Sequence, residues 1–564
     1  MKNSIVWIVI LQIVTTALIV FGFVEREAVF FVTAALLLFT ALAPLEEGVA
    51  LFILSIPFFF ALPFSESFDS MANWRVLSAV LFIKYVTLRV KQSGIEKFSM
   101  GILLDFARRI TKEAFHSKLF LTAIAFIAWG FISSLNAAYP VAGIKKMLFF
   151  MNIFLLFPVI QYIFKGTVEN FSTCASPEAS ARRVSSKNNH YQNFLNAIRY
   201  TLYAVLAIGF LQLISLFIVS LEAFWRFWAG RVIPVFYGYN LGELLQTSNT
   251  WFASGGDGAP TLRMFSVFPD SHSLAMFVML GLVVPTAVWL KKKNRKEFLI
   301  ITIGFLALIF SGSRGVWLSA VGVVVVLGGI WMFMRWKKYE KNYAFFAKNL
   351  IALFVLFWIL FLPASIISSL TQRAQGGIAD SFTGIKRVRS ITNLEEVSNR
   401  SRLQIWKAAI GTIVDRPVFG VGPGNFSVAL GEDISASRKG ASAHNLYLDI
   451  ASEMGLPGLL LFLLLIGHIL YRAISSIFTT KNLESRIENL GKPEPLIHDS
   501  RFIIQKTMPM VFSVYFLWIL GYSLFDVVLF NDKVLIFAII LVACCYGTPK
   551  LKQPNSAAEP TATA

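Results

Sequence analysis

Apolar runs of about 20 residues, long enough to cross a bilayer, recur along the whole chain and are separated by polar segments. About fourteen candidate spans can be drawn, over 4–24, 28–45, 48–64, 75–89, 119–137, 147–164, 199–221, 272–290, 298–312, 315–334, 349–370, 455–473, 508–530 and 533–548. Lipid offers no hydrogen bonds to a backbone, so such spans must be helical. The pattern predicts an all-α polytopic integral membrane protein of about 12–14 transmembrane helices, with a large extracytoplasmic loop region containing short helices. The first span has no small-residue cleavage pattern and is followed at once by another, so it reads as a retained helix.

Composition agrees with a membrane class: 56% of residues are hydrophobic and only 15% charged. The net charge of +19 invites a nucleic-acid reading, but the cations sit in short segments between spans, where they encode topology. Lys and Arg gather in 89–118, 165–199, 291–296, 335–348 and 472–506. All of these fall on one side when the spans are threaded in order, and the positive-inside rule makes that side cytoplasmic. The chain then divides into N-terminal transmembrane helices (1–221), an extracytoplasmic loop with an interfacial aromatic helix (222–271), further spans (272–370), a large extracytoplasmic loop (371–454), C-terminal spans (455–548) and a disordered cytoplasmic tail (549–564). Cys174, Cys544 and Cys545 form neither a disulfide framework nor a metal-binding spacing.

The polar residues that topology explains least collect on the outward side. Phe224, Trp225, Phe227, Trp228 and Tyr237 suggest a helix lying in the membrane interface, as an anchor or as the wall of a lipid-substrate site. Pro269 and Asp270 resemble a helix start, capped by Asp270 or Ser271, and Arg263 precedes them. In Ser311-Gly312-Ser313-Arg314-Gly315 small residues permit a tight turn, with Ser313 as N-cap. An arginine at a helix N-terminus opposes the macrodipole, which makes sense if an anion sits between them. A helix is expected near 399–415, with Leu403, Trp406, Ile410, Ile413 and Val414 as its packing stripe and Arg400, Arg402 and Lys407 on other faces. Gly420 to Asn425 lacks the lysine and strand of a phosphate loop and reads as a turn.

His444 lies at the mouth of the helix that follows the long loop. A neutral imidazole can take a proton near neutral pH, as a general base must, or it can simply cap the helix. Asp449 or Glu453 could orient it. No outward group of carboxylates resembles a divalent-metal site, so neither metal nor cofactor is expected.

These elements together resemble the O-antigen ligase and polymerase superfamily of bacterial membrane glycosyltransferases. The resemblance rests on Arg263 with the stretch Phe265 to Ala275, on Ser311 to Gly315, on Arg400 to Trp406, and on Ala443 to Leu448 with Glu453, Gly455 and Gly458. It spans roughly residues 260–475; earlier residues match only as generic spans. Asp270-Ser271-His272 departs from the more usual Pro-Asn type of helix start and leaves His272 with no inherited role. The resemblance implies a bacterial inner-membrane enzyme that moves a glycan from undecaprenyl diphosphate to a hydroxyl of a glycan, lipid A-core or protein acceptor, outside the cytoplasm. In such an enzyme Arg263 and Arg314 would stabilise the diphosphate, Arg402 and Ser313 would be weaker contacts to it, and His444 would activate the acceptor. Membrane lipids are implied as surroundings and nucleic acid is not. The rival expectation is a polytopic transporter of a small anion or polysaccharide precursor. Asp526, an embedded carboxylate, has no role in either reading.

Overall fold

The structure, a computed structural model, describes residues 3–64, 71–92, 118–165, 177–246, 251–255, 258–336, 341–376, 397–431, 442–489 and 507–546. The tail 549–564 and residues 93–117 and 166–176 of the basic segments 89–118 and 165–199 lie outside them. In chain order the helices are α1 (Asn3–Val20), α2 (Val29–Leu42), α3 (Leu45–Ser55), α4 (Trp74–Gln92), α5 (Lys118–Leu135), α6 (Pro140–Phe154), α7 (Leu156–Lys165) and α8 (Pro177–Ser215). There follow α9 (Leu221–Phe227), α10 (Ile233–Tyr237), α11 (Tyr239–Gln246), α12 (Ser271–Gly281), α13 (Val283–Lys292), α14 (Arg295–Phe310), α15 (Arg314–Trp336), α16 (Lys341–Ile359) and α17 (Phe361–Ala374). The last are α18 (Val397–Asp415), α19 (Phe426–Ala429), α20 (Leu446–Asn489), α21 (Met508–Tyr522) and α22 (Asp532–Tyr546). Two small antiparallel hairpins, β1 (Ala61–Leu62) with β2 (Met71–Ala72) and β3 (Phe252–Gly255) with β4 (Gly258–Leu262), complete the described elements.

The protein is an all-α, multi-pass membrane protein. Eight helical stretches among the described residues are long and apolar enough to cross a membrane. Helices also underlie the remaining apolar runs; most are shorter, and α4, with 19 residues, carries Arg75, Lys84, Arg89 and Lys91. The candidate span at 48–64 is corrected most. Here α3 ends at Ser55, Pro57 stands in a short 3-10 turn, and a hairpin follows. At about 1.5 Å per residue, α3 covers about half of a hydrocarbon core. It is buried from Gly48 to Ser55, against α1, α2, α4 and α8, as a re-entrant piece would be.

The continuous rod formed by α12 and α13 is the centre of the bundle, since 94% of its span is buried. It packs on α8, α14, α21 and α22. Its N-terminus therefore opens onto one end of the bundle, surrounded by the end of α14, the start of α15, the start of α20 and the end of α21. The candidate residues lie there.

Candidate functional site

The segment leading to this mouth is fixed by hydrogen bonds to α8 and α14. Arg263 donates its backbone N–H to Trp251 (2.9 Å) and Met264 donates to Phe310 (2.9 Å), at the C-terminus of α14. Gln212, buried in α8, clamps the next turn. Its Oε1 accepts from Ser266 N (2.7 Å) and its Nε2 donates to Ser266 O (3.0 Å). Ser266 has φ of +52° and donates its hydroxyl to Val205 O (2.7 Å). Phe224, Trp225 and Trp228 all pack on Phe265. The aromatic cluster at 224–228 thus covers the site segment, with Phe224 and Trp225 buried and Phe227 exposed. Asp270 is the N-cap of α12, accepting from Ser273 N (2.7 Å) and Ser273 Oγ (2.8 Å). Burial raises its pKa.

Arg263 and Arg314 are both placed by the α14–α15 turn. Arg263 Nε donates to Ser311 O (3.1 Å), a carbonyl at the end of α14, where a cation complements the macrodipole. Gly312 takes φ of +64° to make the turn. Ser313 occupies the position before α15, but its hydroxyl donates to Tyr522 Oη (3.0 Å) instead of capping the helix. A Cβ on Gly315 would stand 2.9 Å from Phe525 Cβ and 3.0 Å from the Tyr522 ring, so glycine allows α15 to close on the end of α21. Burial lowers the Arg263 pKa, and the neighbouring Arg314 cation lowers it further, against Tyr522, Asp270 and Asp526.

His272, one residue inside α12, joins these pieces. Its Nε2 lies 3.1 Å from Arg263 Nη2. Its Nδ1 lies 2.7 Å from Tyr522 Oη, 3.2 Å from Ser313 Oγ and 3.2 Å from Asp526 Oδ2. Asp526 is 4% exposed and also accepts from Val527 N (2.8 Å). Burial pushes its pKa up to about 6, against the favourable Arg402 and Arg263 cations.

His444 stands on the opposite wall. Leu446 N donates to Ser523 O (2.8 Å) and Tyr447 Oη to Leu520 O (3.0 Å), which dock the start of α20 on the end of α21. Trp406 Nε1 of α18 donates to Ala443 O (2.9 Å), and Ala443 N donates to Asp449 Oδ1 (3.0 Å). Between these clamps His444 adopts φ of +46°, a left-handed conformation uncommon outside glycine. Its Nδ1 is buried with no hydrogen-bond partner among the described residues. Burial lowers its pKa, and so does the Arg402 cation; Asp449 and Asp270 act in the other direction. Arg402 therefore acts on both His444 and Asp526 and ties the two walls together electrostatically.

Glu453 is placed otherwise than as a partner of His444. One of its carboxylate oxygens pairs with Lys146 of α6 and the other accepts from Gly424 N (2.9 Å). Asp449 lies nearer to His444, and its other oxygen is 3.9 Å from Lys146. Just beyond Glu453, α20 breaks. Gly455 is non-helical (φ 67°, ψ −177°) and Pro457 has no N–H, so the carbonyls of Ser452 and Glu453 lose their helical donors. Val421 N (2.9 Å) and Gly422 N (2.8 Å) replace them. The glycine-rich stretch is indeed a turn, and it serves as a splint for this kink. The expected stripe of α18 is also revised. Leu403, Ile410 and Val414 are exposed, and Ala409, with Ile405 beside it, packs on Phe426 and Ala443.

Fold and site define a class: a multi-pass helical membrane protein with two arginines, two histidines and an aspartate gathered at the mouth of its central helix. Residues 298–463 match the family model for O-antigen ligase, a domain-level likeness that supports the O-antigen ligase/polymerase superfamily. The match includes Arg314, Arg402, His444, Asp449 and Glu453, begins after Arg263 and His272, and ends before Tyr522 and Asp526. No curated protein matches the chain.

Proposed function

We propose that this protein transfers a glycan from undecaprenyl diphosphate to an acceptor hydroxyl at the extracytoplasmic face of a bacterial inner membrane, as an O-antigen ligase or polysaccharide polymerase. The observation that carries the reading is that Arg263 is held on the Ser311 carbonyl of the same turn from which Arg314 opens α15. Two guanidinium groups on one turn suit a diphosphate, which offers oxygens to both forks. The family match supports a glycosyltransferase of this type. The cationic segments at the other end of the spans support the orientation.

In this reaction the acceptor hydroxyl gives its proton to the His444 imidazole, which its surroundings keep neutral. The acceptor oxygen attacks the anomeric carbon, the bond from that carbon to the diphosphate oxygen breaks, and the electron pair leaves with the diphosphate. Arg263 and Arg314 stabilise the charge that develops there, with Arg402 and Ser313 as weaker contacts. A single displacement inverts the anomeric centre. The arginines carry the charge stabilisation, so transfer is expected to persist in excess chelator.

The test is glycan profiling of a deletion strain complemented with variants. Loss of polymer from lipid A-core marks a ligase, and single-repeat chains mark a polymerase. Unchanged envelope glycans in the deletion strain would overturn the reading, as would full transfer by inserted His444→Ala or Arg314→Ala protein.

A further inference from the structure

We infer that His272 is a positioning residue for Arg263, with its tautomer set from behind by Asp526; this rests on Arg263 being a diphosphate contact. A guanidinium can only donate, so the 3.1 Å contact from Arg263 Nη2 requires an unprotonated His272 Nε2. The ring proton then lies on Nδ1, which faces Tyr522 Oη, Ser313 Oγ and the Asp526 carboxylate. Asp526 is fixed in its turn by Val527 N. The Ser311 carbonyl takes Nε of the same guanidinium. Two acceptors on different elements therefore set the plane of Arg263, and the histidine is the one whose acceptor capacity depends on where its proton sits.

The residues around this ring exclude a purely apolar packing role. An imidazole buried for packing alone would not be met on both nitrogens by polar atoms from α15, α21 and β4's extension. A carboxylate that fixes a histidine tautomer recurs where the other ring nitrogen has work to do. Here that work is to hold a cation in its bidentate orientation.

Two substitutions separate the two ring nitrogens. His272→Gln places an acceptor oxygen near the former Nε2 and can still take the Arg263 hydrogen bond. His272→Asn reaches only the former Nδ1 position, so it keeps Tyr522 and Asp526 but releases Arg263. Binding of undecaprenyl diphosphate to the purified full-length protein in nanodiscs is the readout, alongside transfer in complemented cells. His272→Asn is expected to weaken binding about 10–100-fold, the range for one hydrogen bond to a charged group, and His272→Gln is expected to retain most of it. A structural role would not rank the variants this way.

Asp526→Asn supplies an independent arm should His272→Asn fail to insert. An amide donor at Asp526 favours the other tautomer and turns an Nε2–H toward Arg263. Its effect is expected to be large beside His272 and to shrink in the His272→Gln background, a non-additivity that a double-mutant cycle reads directly. Equal binding by the Gln and Asn variants, or an Asp526→Asn effect of the same size in both backgrounds, would overturn the inference. Arg263→Ala is measured in parallel. If it binds undecaprenyl diphosphate normally, the assignment of Arg263 itself falls. If it loses binding while the histidine variants behave alike, only the positioning role falls.

Discussion

The site contains two histidines on facing walls, and they are held in opposite ways. His272 has polar partners on both ring nitrogens, at the start of a regular helix with a satisfied aspartate cap. His444 has a buried Nδ1 with no partner among the described residues and a left-handed backbone, clamped on either side through Trp406, Asp449 and Ser523. A φ of this sort costs of order 1–3 kcal/mol, and it persists because the neighbours over-determine it. The protein's hydrogen bonds go into fixing one imidazole, while the segment around the other is fixed and its ring is left with a lone pair or proton to offer. The first arrangement suits a group that acts through a neighbour, the second a group that meets substrate.

The sharpest way to break this contrast is to remove each ring. His444→Ala is expected to lower transfer about 10²–10⁴-fold, the range of a general base, with insertion and yield unchanged, as judged by glycan profiling and by protein in the membrane fraction. A residual rate within about tenfold of wild type is outside that range and would move His444 to a structural role. Arg314→Ala comes next, at about 10²–10³-fold, comparable to the loss of one preorganised charge-stabilising donor. Its defect should be in transfer and not in insertion, because the residue opposes the α15 dipole and its removal costs the helix nothing.

The wall carrying His444 also depends on the α20 kink. Gly455 lies in a φ/ψ region that is essentially glycine-only, and a Cβ there would approach Val418 O to 2.0 Å. Gly455→Ala is therefore expected to destabilise the protein by roughly 1–3 kcal/mol or more, seen as a lower thermal midpoint in detergent. Its activity loss should follow from displacement of 417–424 and the His444 segment. Stability equal to wild type would mean that α20 straightens without cost.

Local chemistry was legible in the chain wherever neighbours in sequence are neighbours in space. The Asp270 cap, the Ser311–Gly315 turn, the helix at 397–415 and the turn at 420–425 all stand where their residue types place them. Contacts between distant segments were not. Tyr522 closes an ordinary apolar helix, and Asp526 follows it with no motif, so nothing local says that both face His272. Gln212 is one polar residue within a span, and only the fold shows it clamping Ser266. Periodicity found the apolar stripe of α18 but could not say whether it turns inward. Leu403, Ile410 and Val414 are exposed, and the packing falls to smaller Ala409. For Glu453, proximity in sequence misled, because it lies one turn beyond Asp449 on the same face, where Lys146 and Gly424 N take its carboxylate.

The smallest and most specific effect should be on pH dependence, where the two walls can be moved in opposite directions. Burial and Arg402 hold the His444 pKa below its ordinary 6.5, so the base form persists into mildly acidic solution. The same shift makes the unfolded chain bind more protons than the folded one below that value. The stability His444 contributes is thus complete above pH 6.5 and is lost as pH falls toward the folded value. Arg402→Gln removes a cation that disfavours the imidazolium, so the acid limb of the pH–rate profile should move to higher pH. Asp449→Asn removes an anion that favours the imidazolium, so the limb should move to lower pH, provided Ala443 N still finds the amide oxygen. Shifts of the same sign, or none in either variant, would mean that the titrating group is not His444. Asp526, with its pKa near 6 and Arg402 as its chief stabilising charge, is then the group to examine, since loss of Arg402 would raise it too.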